Sequence, residues 1–369
     1  MIYLDNAATT LPKPETVSKA VFDAILNMGS LGRGSHEVAR SSAETAFLCR
    51  QLAGTLFDLP PDCVAFTLNT THALNIAIKT LVKPGDHVVV SGFEHNAVMR
   101  PLYALGADVS IAGRILFDAK DTVASFEAAI TPGTSAVICT HVSNVFGYIL
   151  PIKEIAKICK EREVPLIVDA AQSAGALPLS VRALGAAFVA VPGHKGLFGP
   201  QGTGLLLCGQ LPKPLMEGGT GSWSKQMSMP DFLPDRVEAG TQNIHGIAGL
   251  CEGLKFVISR GVDGIQHHEA KLMDLLRKEL NNNAKYRTFF GEQYTQSGVL
   301  SFVPIGMSCE ETARLLDRAG FAVRSGYHCA PVAHESAKTS SSGTVRVSLS
   351  AFSTENDVEA LASFLRELK

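Results

Sequence analysis

A lysine follows a histidine in PGHKGLFGPQGTG, residues 192–204, a glycine-rich turn directly after the apolar run AAFVAV. Lysine is costly to place at the edge of a core, and a turn does not require one. Asp169 ends another apolar run, PLIVD, 26 residues before Lys195. His95 follows HVVVSGFE, and Asn144 follows AVICTHVS. Each of the four alone reads as ordinary: a solvated lysine, a capping aspartate, a histidine or asparagine bonded to backbone. Together they require a common reason. A lysine amine condenses with an aldehyde cofactor to give a Schiff base. A carboxylate beside a pyridine nitrogen keeps that ring protonated and able to accept electrons from a carbanion. The set therefore suits a pyridoxal phosphate site. A phosphate also needs donors, and TLNTTHALNIAIKTL places Asn69, Thr70, Thr71 and His72 at the start of a helical pattern. Free N–H groups and hydroxyls collect there, although by itself NTTHALN reads as a plain helix cap.

These residues need elements to position them. Between about residues 60 and 210, apolar runs alternate with amphipathic segments such as IKEIAKICKERE. The strand candidates are CVAFT, HVVVS, SAVICTHV, PLIVDA, AFVAV and GTGLLLC. Strands apolar on both faces and separated by helices predict an α/β fold with a mainly parallel central sheet covered by helices. In such a sheet ligands bind beyond the carboxyl ends of the strands, and His95, Asn144, Asp169 and Lys195 all project there. Residues 210 to 245 are rich in Gly, Pro, Ser and Met and predict a long loop. The pattern then turns helical and leads into a smaller α+β unit with strands GVLSFVP, FAVRSG and GTVRVSLS. The expected division is a large domain over 15–245 and a small one over 246–369 joined by residues 1–14. SAKTSSSG (336–343) reads as a mobile low-complexity loop.

Composition narrows the class. The chain has 369 residues, 18% charged, and a formal net charge of −2, with no basic run to neutralise phosphates, so nucleic acid is an unsuitable partner. MIYLDNAATTLPKP lacks the basic and apolar regions of a signal peptide, and no apolar stretch approaches the roughly 18 residues of a membrane span. The eight cysteines form no CxxC pair, so no metal site is expected. A reducing, cytoplasmic setting follows.

The motifs resemble those of the class V aminotransferase-like pyridoxal phosphate enzymes, within them the cysteine desulfurase and selenocysteine lyase group. The likeness covers YLDNAATT, RGSH (33–36), NTTHALN, FEHNAV, THVSNVFG, VDAAQSAG, GHKGLFGPQGTG, AGTQN, RSGYHCAP and GTVRVSLS, in the family's order. It implies the fold type I transferase architecture with pyridoxal 5'-phosphate as cofactor. It further implies that Lys195 carries the Schiff base and then acts as base at the substrate Cα. Asp169 would pair with the pyridinium nitrogen, Gln172 with the ring oxygen, and His95 would stack on the ring and relay protons. Thr70, Thr71 and His194 would hold the phosphate. Asn144, Arg346, Asn6 and Arg324 would hold the substrate, Arg346 through a bidentate pair with its carboxylate. Thr241 would reach the cofactor of a partner subunit, which implies a homodimer with shared sites.

Cys329 would attack the substrate sulfur and carry a persulfide, and a sulfur-acceptor protein is a possible partner. Cys329 lies in a turn beside His328 and near Arg324, and cationic neighbours favour a thiolate. The activity implied is removal of sulfur from L-cysteine, or a close analogue, to give L-alanine. Selenocysteine lyase, a cysteine or cystine β-lyase, and a catalytically impaired pyridoxal phosphate- or partner-binding protein are the alternatives. The chain departs from the family at Pro192, where a Ser or Thr ordinarily donates to the phosphate. Ser222 is a candidate replacement. The stretch before Arg346, HESAKTSSSGT, is short and polar, which leaves the shape of the substrate pocket open.

Overall fold

The computed structural model describes residues 1–31, 34–280 and 283–368. Arg33 of the RGSH motif lies outside the described residues. The strands are β1 (Ile2–Tyr3), β2 (Val64–Thr67), β3 (His87–Ser91), β4 (Asp108–Ala112), β5 (Thr134–Thr140), β6 (Leu166–Asp169), β7 (Phe188–Pro192), β8 (Gly204–Cys208), β9 (Tyr286–Thr288), β10 (Val299–Pro304), β11 (Phe321–Ala322), β12 (Arg324–Gly326) and β13 (Thr344–Ser348). Seven of them form one sheet in the order β2-β8-β7-β6-β5-β3-β4.

Strands β7, β6, β5, β3 and β4 pair in parallel, whereas β8 runs antiparallel to both its neighbours. GTGLLLC thus returns as the second arm of a hairpin. The turn between β7 and β8 is too short for the crossover helix that a parallel return needs. Strand β4, DVSIA, is absent from the strands expected above. It is a half-exposed edge strand with polar residues interleaved, so it lacks the apolar run that marks the buried strands.

Alternation along the strands builds two cores. Val88, Val90, Ile138 and Phe188 face Leu74, Ile78, Val98 and Leu102 of helices Thr70–Leu81 and Asn96–Leu105. Val89, Val137, Val168 and Val189 point to the other face, with Phe57, Ile155, Leu250 and Leu254. Successive strand side chains point to opposite faces, so each strand is apolar throughout. Helix Ile244–Arg260 belongs to this second core.

A third cluster backs the antiparallel sheet β12-β13-β10-β9 with helices Val262–Leu280, Cys309–Arg318 and Glu355–Glu367. Strand β1 pairs with β11, so the first residues join the last unit of the chain. Between Gly209 and Asn243 there is neither helix nor strand, as the composition predicts.

The 336–343 segment differs from the loose loop expected. The hydroxyl of Ser336 donates to the Gly92 carbonyl at 2.7 Å, Tyr327 Oη donates to the Ser340 carbonyl at 2.8 Å, and Thr339 Oγ1 lies 2.7 Å from His334 Nδ1. The hydroxyls of Ser336 and Thr339 and the Ser340 carbonyl thus tie the segment to its surroundings. Among the described residues no helix is long and apolar enough to cross a membrane.

Candidate active site

Strand register sets the site. Thr140 pairs with Asp169, and Asp169 with Ala190, so the ends of β5, β6 and β7 form one edge with Asp169 in the middle. Beyond that edge lies a cavity of about 210 Å³ lined by Asn69, Thr70, Thr71, His95, Asn144, Asp169, Gln172, His194 and Lys195. Nine residues singled out from sequence therefore meet at one place, drawn from five strand ends.

Burial, helped by the Arg346 guanidinium and opposed by Asp169 and Asp5, lowers the Lys195 pKa to about 8. About a tenth of the amine is then neutral at pH 7, against about a few in ten thousand at the ordinary value. Asp169 Oδ1 accepts the Ala171 N–H at 2.9 Å. Burial raises the carboxyl's pKa, while the Ala171 N–H and the Lys195 charge act in the opposite sense. His95 caps helix Asn96–Leu105, its Nδ1 accepting the Ala97 N–H at 3.0 Å. Burial, with the charges of Lys195, Arg100 and Arg346, lowers its pKa to about 4. The ring is neutral, and with Nδ1 accepting, its proton is on Nε2.

The phosphate end is built on helix Thr70–Leu81. Asn69 Oδ1 caps it by accepting the His72 N–H at 3.0 Å. The buried Thr70 hydroxyl has no hydrogen-bond partner, and Thr71 lies exposed beside it. His194 Nδ1 lies 3.1 Å from Thr9 Oγ1, and the His194 carbonyl accepts the Thr10 N–H at 3.2 Å. Burial lowers the His194 pKa to about 4. An orphaned buried hydroxyl at a helix N-terminus, a lowered lysine and a buried carboxylate fit pyridoxal phosphate. Thr70, Thr71 and His194 would hold its phosphate, Asp169 its ring nitrogen and Lys195 its aldehyde carbon. Pro192 supplies no donor here, because proline has neither an N–H nor a hydroxyl; it ends β7, opposite Gly204. The Ser222 hydroxyl is bonded to Asp235, and Ser222 is not part of the cavity wall.

The substrate end is more heavily bonded than the sequence suggested. Gln172 Nε2 donates to the Ala7 carbonyl at 3.0 Å. Asn6 Nδ2 donates to the Ser348 carbonyl at 2.9 Å, and its Oδ1 accepts the Leu11 N–H at 3.3 Å; it borders the space on the other side of Lys195. Arg346 Nη1 donates to the Asn144 carbonyl at 3.0 Å and Nη2 to Asp5 Oδ1 at 2.9 Å, while its buried Nε has no partner. Arg324 pairs with Asp5 Oδ2 through Nη2 at 2.9 Å. Asp5, an unassigned member of YLDNAATT in the sequence reading, thus bridges two of the expected substrate-binding arginines. Glu94 was also missed. It is wholly buried, with Oε1 accepting the Thr140 N–H at 2.7 Å, and burial raises its pKa to about 8. Only its adjacency to His95 could have signalled it.

Cys329 is exposed, whereas the other seven cysteines are buried or half-buried. His328 and Cys329 both have left-handed backbones, with φ of 49° and 56°. Asn144 Nδ2 donates to the His328 carbonyl at 2.7 Å, and the Asn96 N–H to the Cys329 carbonyl at 2.8 Å. Chiefly through burial, the His328 pKa falls to about 2. Its ring is therefore no cation for the thiol, and Arg324 shares the single Asp5 carboxylate with Arg346. The cationic neighbourhood expected from the sequence is not built by His328. Thr241 is exposed on the 209–243 loop and lines a different cavity, alongside His72.

The Aminotransferase class-V profile matches residues 2–361. A probable cysteine desulfurase of Methanothermobacter thermautotrophicus is 33% identical over 380 residues, covering 100% of this chain and 94% of the relative. The apo structure of a cysteine desulfurase from Thermococcus onnurineus is 29% identical with a TM-score of 0.90, covering 100% of this chain and 94% of that one. The cysteine desulfurase CsdA from Escherichia coli is 25% identical with a TM-score of 0.86, covering 99% and 93%.

Proposed function

We infer the activity from one premise: the chain belongs to the class-V aminotransferase family. Within that family it is a pyridoxal phosphate-dependent cysteine desulfurase, converting L-cysteine to L-alanine and leaving the sulfur on the enzyme. The observation that carries this reading is the placement of Cys329. The one exposed cysteine of eight is clamped through its own carbonyl and that of His328 to Asn96 and Asn144, which flank the Lys195 cavity.

When bound, the cofactor supplies an electron sink for the carbanion at the substrate Cα. The protein's own groups do the rest. The Asp169 carboxylate would hold a proton at the ring nitrogen, the neutral His95 imidazole would lie against the ring, and Thr70, Thr71 and His194 would hold the phosphate. Arg346, whose buried Nε has no partner, would bind the substrate carboxylate, and Asn144 flanks it. Lys195 takes the Cα proton as neutral amine. The Cys329 thiolate bonds to the substrate sulfur as the Cβ–S bond breaks, and Cβ is protonated. The balance is cysteine plus enzyme thiol giving alanine plus enzyme persulfide.

The assembly is a homodimer in which Thr241 serves the partner's cofactor. In support, Thr241 stands outside its own chain's Lys195 cavity, and its loop exposes Met216, Trp223 and Met227. We place the protein in a reducing, cytoplasmic setting, consistent with eight unpaired cysteines. The two-unit division at 245/246 is retained, with helix Ile244–Arg260 packed on the large sheet as its joint.

The test is incubation of the pyridoxal phosphate-loaded protein with L-cysteine, with and without reductant. Alanine should form rather than pyruvate, with one added sulfur on Cys329 by mass spectrometry. Alanine and sulfide formation surviving in Cys329→Ala at near wild-type rate would sink the desulfurase reading.

A further inference from the structure

Residues 9–13, TTLPK, reach across to the turn that carries Lys195. Four donors from this segment converge on one acceptor, the His194 carbonyl. They are the Thr10 N–H at 3.2 Å, Lys13 Nζ at 3.2 Å, Thr9 Oγ1 at 3.1 Å and Thr10 Oγ1 at 3.1 Å. A carbonyl oxygen has two lone pairs, so the four bonds compete. Each hydroxyl has one proton and a second acceptor in reach. Thr9 Oγ1 lies 3.1 Å from His194 Nδ1, and Thr10 Oγ1 lies 3.1 Å from the Lys195 carbonyl. The Thr10 N–H has no such alternative and takes one lone pair. The second goes to Lys13 rather than to a hydroxyl, because a charged donor bonds roughly twice as strongly as a neutral one. Thr10 Oγ1 then donates to the Lys195 carbonyl while accepting from Lys13 at 3.0 Å, and Thr9 donates to His194 Nδ1.

That assignment sets the state of the histidine. Burial, with the charges of Lys195 and Lys13, keeps the His194 ring neutral with a pKa of about 4, so there is one ring proton to place. With Nδ1 accepting from Thr9, the proton sits on Nε2. His194 lines the Lys195 cavity. A phosphate there can accept from an Nε2–H, whereas a bare Nε2 would set a lone pair against its negative oxygens. Lys13 is half-buried and forms no ion pair with a carboxylate among the described residues. Burial lowers its pKa to about 8, which leaves it mostly charged at neutral pH. The His194 carbonyl accounts for its position.

We propose that Lys13 is a positioning residue for the cofactor phosphate: its ammonium occupies the His194 carbonyl, which directs the Thr9 hydroxyl to Nδ1 and keeps the ring proton on Nε2, available to the phosphate. The inference rests on the reading of His194 as a phosphate ligand. Without Lys13, the Thr9 hydroxyl turns to the vacant lone pair of the carbonyl. Its oxygen then accepts from Nδ1–H, and Nε2 is left bare.

Lys13→Met keeps the length of the side chain and removes its N–H groups. Titration with pyridoxal phosphate should show binding at least about tenfold weaker in this variant, as for the loss of a hydrogen bond to a charged group. Thr9→Val should weaken binding to a similar extent, and Thr9→Ser should restore it. Because both residues act through one ring nitrogen, the double variant Lys13→Met with Thr9→Val should bind about as well as either single one. Proton–nitrogen correlation NMR of the apoprotein with isotope-labelled histidine gives a readout that needs no cofactor. The His194 signal, assigned by its loss in His194→Ala, should report Nε2–H in the wild type and a gain of Nδ1–H in Lys13→Met. Wild-type affinity in Lys13→Met, additive losses in the double variant, or an unchanged tautomer in Lys13→Met would each overturn the proposal. Wild-type cofactor binding in His194→Ala would instead overturn the phosphate-ligand reading beneath it.

Discussion

Asp5 and Arg346, 341 positions apart in the chain, form an ion pair at 2.9 Å, and the same carboxylate holds Arg324 through its other oxygen. One acidic side chain near the start of the chain thus fixes two cations of the last unit whose charges act on Lys195. Arg346 is only 2% exposed. Breaking a buried pair by removing one partner leaves an uncompensated charge and typically costs about 3–5 kcal/mol. Asp5→Asn is expected to lower thermal stability and to raise the KM for L-cysteine by about tenfold or more, ~1.4 kcal/mol. The smaller change should be in kcat. A variant with wild-type KM would show that Arg346 needs no such support.

The Lys195 amine must be neutral to bond the cofactor aldehyde, and its pKa is lowered to about 8 from an ordinary 10.5. Capture of pyridoxal phosphate by the apoprotein should therefore accelerate as pH rises from 6 toward 9 and level off above about 8. The unfolded chain binds this proton more tightly than the folded one, so this group makes the apoprotein more stable as pH rises between about 8 and 10.5. Stopped-flow absorbance follows the first effect and thermal melts at stepped pH the second. Lys195→Ala should show neither.

Thr70 offers a test with opposite signs in the two states. Its buried hydroxyl has no partner in the protein alone, so Thr70→Val should leave the apoprotein at least as stable as the wild type. Loss of a hydrogen bond to a charged phosphate should weaken cofactor binding by about 1.5–3 kcal/mol. Melting temperatures with and without pyridoxal phosphate separate the two effects.

Left-handed backbone at a non-glycine residue costs of order 1–3 kcal/mol, and His328 and Cys329 adopt it in succession. The Asn144 amide and the Asn96 N–H hold that arrangement from outside. Asn144→Ala should release one of the two clamps. Alkylation of Cys329 by iodoacetamide in the apoprotein should then proceed several-fold faster, with Cys329→Ala as the blank. An unchanged alkylation rate would mean that the loop holds its shape without Asn144.

The inferred homodimer requires that Thr241→Ala weaken cofactor binding although Thr241 lines no part of its own chain's cavity. Equilibrium sedimentation together with cofactor titration checks both halves of that statement.

Much of the catalytic edge was legible in the chain itself. Apolar runs such as HVVVS and PLIVD lie in strands because both faces of a covered sheet are apolar, and polar residues at their ends project to the ligand-binding edge of a parallel sheet. Lys195, Asp169, His95 and Asn144 were placed by that local pattern. Strand β4 was not, because its interleaved polar residues reflect a half-exposed edge that only the assembled sheet defines. The sequence determined which residues could do the chemistry. The tertiary structure decided which of them are free to do it: Asp5 engages Arg324 and Arg346, and Asn144 bonds to the His328 carbonyl. The physical reason is that strand and helix identity follows from neighbours within a few residues. Hydrogen bonds between groups hundreds of positions apart exist only once separate elements pack together.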